Sequence, residues 1–128
     1  MKRIPILILA AALAGPAAAV ACGDTPNAHN LVVTPQVRAA IARAYTARTG
    51  VTAAAVPGKT YYGSHVGIQF AVATFGSRPA IFSDGGMGRW RLLRLTHGGV
   101  CSGVVPVDLI RAWAMTHWRG GCFTEPSV

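Results

Sequence analysis

The sequence predicts an α+β fold: an N-terminal helix, a three- or four-stranded antiparallel meander, and a C-terminal helix. Three observations carry this. Val37, Ile41 and Tyr45 recur every four residues behind a Thr34-Pro35 start, residues 66–75 alternate between larger apolar and small or polar side chains, and Leu109, Ile110, Trp113 and Ala114 form an apolar stripe behind Pro106. At 128 residues the chain holds one small domain.

The first segment lies outside that domain. Met1-Lys2-Arg3 is a positive start, Ile4 to Leu13 is apolar, and Ala17 to Ala21 are small residues, so positions 1–21 read as a secretory signal peptide. The apolar run breaks at Gly15-Pro16, short of the roughly 20 residues that a spanning helix requires. Removing 21 of 128 residues leaves 107, and losing Lys2 and Arg3 takes the formal charge from +8 to +6. Residues 22–33, rich in Gly, Asp, Pro, Asn and His, read as a tether to a domain over 34–128.

Thr34 is an N-cap with Pro35 in the first turn, and Gly50 closes the helix, leaving Arg38, Arg43 and Arg48 off the apolar stripe. After a Pro57-Gly58 turn, Lys59 to Tyr62 reads as a strand that Gly63-Ser64-His65 would end. In the next strand Val66, Ile68, Phe70 and Val72 share one face, and Gly67, Gln69, Ala71 and Ala73 the other. Gly76 to Pro79 breaks it, Ala80-Ile81-Phe82 is a short third strand, and Asp84 to Gly88 is a flexible hairpin connection. Arg89 to Leu92 alternates again, then the phase slips, which a bulge at Leu92-Leu93 would reconcile. A connection through Cys101 leads to Pro106 and a helix that Gly120-Gly121 stops. The strand connections are too short for parallel crossovers, and both helices are expected on one face of the meander.

Three cysteines in an exported chain leave one with a separate fate. Cys22 follows Ala19-Val20-Ala21, which suits ordinary signal peptidase and also resembles a lipobox, although Ala19 stands where lipoboxes usually carry Leu or a branched aliphatic residue. Lipid attachment at Cys22 and plain secretion both stay open. Cys101 and Cys122 are then expected to pair as a disulfide, worth about 3 kcal/mol in the chain-entropy model. They flank a helix about 20 Å long, so both arms would have to fold back along it.

Tyr61-Tyr62-Gly63, Phe70 to Phe75, Phe82, Gly88-Arg89-Trp90-Arg91, Cys101, Val105-Pro106, Leu109 and Arg111-Ala112-Trp113 form a pattern that resembles a group of uncharacterised exported proteins of high-GC bacteria. The resemblance covers roughly residues 59–113. It implies the architecture and export, and brings no catalytic residue with it.

Chemistry is sparse. Asp24, Asp84, Asp108 and Glu125 are the only carboxylate side chains, each with an ordinary structural place, so paired-carboxylate hydrolysis is not supported. Ser64-His65, and His97 four residues before Cys101, leave a small His-dependent enzyme as a third reading, without a nucleophile motif to support it. No metal-ligand spacing and no phosphate-binding or dinucleotide-binding glycine motif occurs, so no metal or cofactor is expected. Trp113 and Trp118, placed on the last helix, read first as core aromatics.

Nine of the ten basic residues after position 21 are arginine, and Arg89, Arg91 and Arg94 cluster beside Trp90. That strand could hold phosphate, sulfate or carboxylate groups on its exposed face, or could simply be a solvated sheet face. The leading expectation is a non-enzymatic exported or lipid-anchored domain that binds an envelope or extracellular component. Its partners would be an anionic envelope polymer, lipid headgroups or another exported protein, and not nucleic acid. The alternative is a secreted inhibitor-like module that docks on another protein through its sheet.

Overall fold

The computed structural model describes residues 25–125. The expected signal peptide 1–21, and Cys22 with its lipid attachment, lie outside the described residues. Chain order is β1 (Ala28–Asn30), α1 (Pro35–Thr49), β2 (Thr60–His65), β3 (Ile68–Phe75), β4 (Arg78–Ser83), β5 (Arg91–Leu95), β6 (Val100–Cys101), α2 (Val107–Ala112), β7 (Thr116–Arg119) and β8 (Cys122–Thr124). The class is α+β. Strands β1-β2-β3-β4-β5 lie side by side in an antiparallel main sheet, and β6-β8-β7 form a small second sheet.

The main sheet is wider than expected because the stretch read as a tether contributes a strand. Ala28, His29 and Asn30 pair with His65, Ser64 and Gly63, and Ala28 is fully buried in the core that α2 completes. Gly63, Ser64 and His65 therefore continue β2 instead of turning the chain. The turn is Val66-Gly67, with φ of 49° and 77°, the mirror-image two-residue geometry that matches strand twist. Arg78 and Pro79, expected as a break, pair with Phe75 and Thr74 and open β4.

Gly63 supplies space. A Cβ there would lie 2.5 Å from the His29 carbonyl oxygen and 2.6 Å from Leu109 Cδ1. Backbone on one side and a packed helix on the other leave little room to yield. Gly63→Ala is expected to lower the unfolding free energy by about 1–3 kcal/mol in chemical denaturation. A loss under about 0.5 kcal/mol would show that α2 can retreat at no cost.

The alternation along β3 divides the core in two. Phe70 and Val72 pack with Ile81, Leu109, Ile110 and Trp113, whereas Ala71, Ala73 and Phe75 pack with Ile41, Ala44, Phe82 and Leu92. Both sides of β3 are apolar, which requires cover on both, and the helices accordingly lie on opposite faces rather than on one. On one face sits α1. The Thr34 side chain accepts a hydrogen bond from Val37 N at 3.2 Å, Gly50 ends the helix at φ 72°, and Tyr45 stacks on Phe75 with ring centroids 4.1 Å apart. On the other face sit α2 and the small sheet.

The second helix is far shorter than the apolar stripe suggested. It ends at Ala112, Ala114 takes the left-handed conformation at φ 58°, and Gly120-Gly121 joins β7 to β8 instead of stopping a helix. Trp113 is locked into the core, with Nε1 donating to the Tyr62 carbonyl at 3.1 Å, and beyond it the chain doubles back. Cys101 and Cys122 then meet as cross-strand partners of β6 and β8 in a disulfide with an S–S distance of 2.01 Å. Neither arm has to run back along a long helix.

Candidate functional site

Strand β5 presents the arginines. Arg91 pairs with Ser83 and Leu92 with Phe82, but Ile81 is opposite Arg94, so Leu93 is an extra residue in the ladder. This bulge resolves the phase slip in the sequence. Leu92 is buried and Leu95 half-buried toward α1, while Arg91 and Arg94 share the opposite side, each solvent-exposed. Without the extra residue, Arg94 would point into the α1 core. Arg89 precedes them in the connection and is exposed too.

Trp90 does not join them. It packs on the α1 side against Tyr62, with ring centroids 6.0 Å apart, so the expected aromatic neighbour of the arginines faces away. Their neighbours are aliphatic. Ile68, Met87 and Leu93 line a hollow of about 500 Å³ together with Arg89 and Arg91.

Asp84 stabilises the rim of that hollow. Its side chain is buried, and Oδ1 accepts backbone hydrogen bonds from Gln69 and Gly86, each at 2.8 Å. The Ser83 hydroxyl donates to the Gln69 carbonyl at 2.9 Å. These bonds tie the β4–β5 connection to the start of β3, which sets where Met87 and Arg89 stand. Tyr62 donates to Gln69 Oε1 at 2.8 Å; burial, and then the Asp84 charge, push its phenol above the usual value.

A second cleft, of about 420 Å³, lies at the other end of the main sheet, beneath the small one. Val72 and Thr74 line it, with Lys59, Arg78 and His97 contributing cationic or basic groups and Glu125 a carboxylate. Tyr61 hydrogen-bonds to Glu125, and burial, followed by that carboxylate's charge and hydrogen bond, raises the Tyr61 phenol pKa. No local motif could have revealed this cleft, because its residues come from segments up to 66 positions apart and meet only through the tertiary fold.

The histidines of the enzyme reading do not converge. His65 pairs with Ile68 at one end of β3, whereas His97 follows Thr96, whose N–H bonds the Pro79 carbonyl opposite Thr74 at the other end. The strand length between these points is about 20 Å. Cys101, the cysteine four residues after His97, is held in the disulfide. His117 bonds the Gly120 carbonyl at 2.8 Å and packs edge-on against Phe123, a structural placement.

Among the described residues no group of three His, Cys, Asp or Glu side chains is placed to hold a metal ion, and no helix is long and apolar enough to cross a membrane. Trp113 is core, whereas Trp118 lies exposed in β7 with the Arg119 guanidinium 4.1 Å from its ring centroid. Comparison with known proteins returns no match to the chain among family models, curated proteins or solved structures.

Proposed function

We propose that the protein is an exported, non-enzymatic domain that binds a phosphate- or carboxylate-bearing component of the cell envelope through Arg89, Arg91 and Arg94. The observation that carries this reading is the Leu93 bulge, which puts Arg91 and Arg94 on one exposed side of an edge strand next to Arg89. Guanidinium groups bind such anions through paired donors, and a row of them on a rigid strand holds the pairs in fixed register. The formal charge of +8, or +6 after residue 21, adds attraction at longer range. Export is supported by the sequence over 1–21 and by the Cys101–Cys122 disulfide, a bond typical of oxidising compartments. Acylation of Cys22 would keep the domain at the outer face of the membrane, and processing without it would release the domain.

The inhibitor-like reading is weaker at this strand. A partner strand added at β5 would meet the bulge and the Arg48 guanidinium, which already donates to the Leu92 carbonyl at 2.9 Å.

The test is co-sedimentation of the Cys22→Ala protein with phosphatidylglycerol vesicles. Each arginine near an anionic surface contributes about 1 kcal/mol, so replacing all three by glutamine is expected to weaken binding about 100-fold. Added salt should erase most of the difference between the two proteins. Equal binding of the wild-type and triple-variant arginine faces would remove the reading.

A further inference from the structure

We infer that the end of the main sheet formed by the Val66-Gly67 turn and the Asp84–Gly88 connection enters an anionic lipid bilayer, with Val66, Ile68, Met87 and Leu93 reaching below the headgroups that Arg89 and Arg91 bind. The inference rests on the arginine reading above and names its partner.

Val66 is the first sign. It occupies the first position of a two-residue hairpin turn at φ 49°, where glycine, asparagine and aspartate are at ease and a β-branched side chain is strained. It is also 69% exposed, so the strain is not offset by burial within the chain. Strain retained without a packing return is characteristic of sites that meet a partner.

Met87, in the neighbouring connection, is 81% exposed, and Ile68 and Leu93 are partly exposed beside it. The two turns touch. A Cβ on Gly86 would stand 3.5 Å from Ile68 Cγ1 and 3.7 Å from the Gly67 carbonyl oxygen, so Ile68, Met87 and Leu93 line one hollow and Val66, the neighbour of Gly67, stands in the turn at its edge.

The chain also enters the domain at this end. Val66 N donates to the Asn27 carbonyl at 3.0 Å, and Thr25 N to the Ala28 carbonyl at 3.0 Å. Cys22 stands five residues before Asn27 and can therefore be no more than about 18 Å from it along an extended chain. An acyl group there would hold this tip, and not the opposite cleft, against the membrane. The charge pattern agrees, because Arg89 and Arg91 line the same hollow as the aliphatic side chains, outnumbering the single carboxylate there, that of Asp84, whose Oδ1 is occupied by two backbone N–H groups.

A bilayer fits these features better than other occupants. A soluble polyanion would gain from the arginines but nothing from Val66 or Met87. A second copy of the chain would need about 800 Å² from each partner, far more than two turn tips offer.

The experiment uses the Cys22→Ala protein beneath a phosphatidylglycerol monolayer, so that no acyl group contributes. The wild-type tip is expected to adsorb and raise the surface pressure, and part of its binding should resist salt. Val66→Asn combined with Met87→Gln should still adsorb at low salt through the arginines, yet lose most of the pressure rise and about tenfold of the salt-resistant binding. Asn-Gly is a preferred pair for this turn, so Val66→Asn should unfold at an equal or higher temperature, which separates loss of insertion from loss of fold.

An undiminished pressure rise in the double variant would overturn the tip inference while leaving the arginine reading intact. If Arg89→Gln with Arg91→Gln adsorbs like the wild type, the arginine reading fails and the headgroup half of the inference falls with it. Self-association that the double variant abolishes, without any monolayer insertion by the wild type, would assign the tip to a second copy and overturn the inference.

Discussion

Trp113→Ala is expected to lower the unfolding free energy by about 3–5 kcal/mol, the cost of emptying a large aromatic site in a packed core. Trp113 lies between α2 and the main sheet, buried among Val72, Leu109 and Ile110, and tilted against Tyr61 with ring centroids 5.8 Å apart. Its Nε1 donates to the Tyr62 carbonyl, which also accepts from Leu31 N at 2.9 Å. That second donor separates two contributions. In Trp113→Phe the carbonyl keeps a partner, so losing the indole bond should cost only about 1 kcal/mol, and most of the ring contact survives. Denaturation of both variants gives the comparison, and a loss below about 1 kcal/mol for the alanine variant would mean that α2 is held elsewhere. The site has a stake in the result. Since α2 packs against β1 and β2, it leaves the β5 side of the same face open, and loosening it should disturb the β1–β2 edge before the arginine strand.

The parts of this architecture that were legible in the sequence have local causes. The period of two along β3 predicted which side chains share a side, because both cores are built from that one alternation. The slip after Leu92 predicted the bulge, since an arginine at position 94 could not enter the α1 core. Asp84 was readable as a turn residue, although the sequence could not show that its carboxylate would be buried and bonded to the β3 backbone. The misreadings also share a cause. Gly63 looked like punctuation because glycine usually is, but here it makes room for Leu109, a residue 46 positions later. The stripe through Trp113 and Ala114 looked like a longer helix because it is apolar on a helical period. The backbone reverses at Ala114 and leads into β7, which pairs with β8, and β8 in turn pairs with β6 from before the helix, a partner that no local window contains. The tether around Ala28 had no visible period because a three-residue edge strand is too short to display one. Of the candidate site, the arginines were visible as residues. Their common side, and the apolar tip beside them, required the register.

The disulfide yields the second large expected effect, and it is local as well as global. Replacing Cys101 and Cys122 together by serine should lower the unfolding free energy by about 3 kcal/mol, the loop-closure contribution for a separation of 21 residues. It joins β6 to β8 in a sheet whose strands β6, β7 and β8 are two, four and three residues long, too short to persist on their own. Loss should therefore begin there. Amide exchange at His117, Arg119 and Phe123 should accelerate before exchange in β2, β3 and β4, which are each paired on both sides and buried over much of their length. The small sheet supplies Val100 and Phe123, and Met115 just before β7, to the wall of the Tyr61–Glu125 cleft, so that cleft should open while the arginine face on β5, an edge strand of the main sheet, keeps its affinity for anionic vesicles. Uniform acceleration of exchange through both sheets would instead mean that the small sheet and the main sheet unfold as one cooperative unit. Freely alkylatable thiols at Cys101 and Cys122 in natively isolated protein would remove the premise altogether.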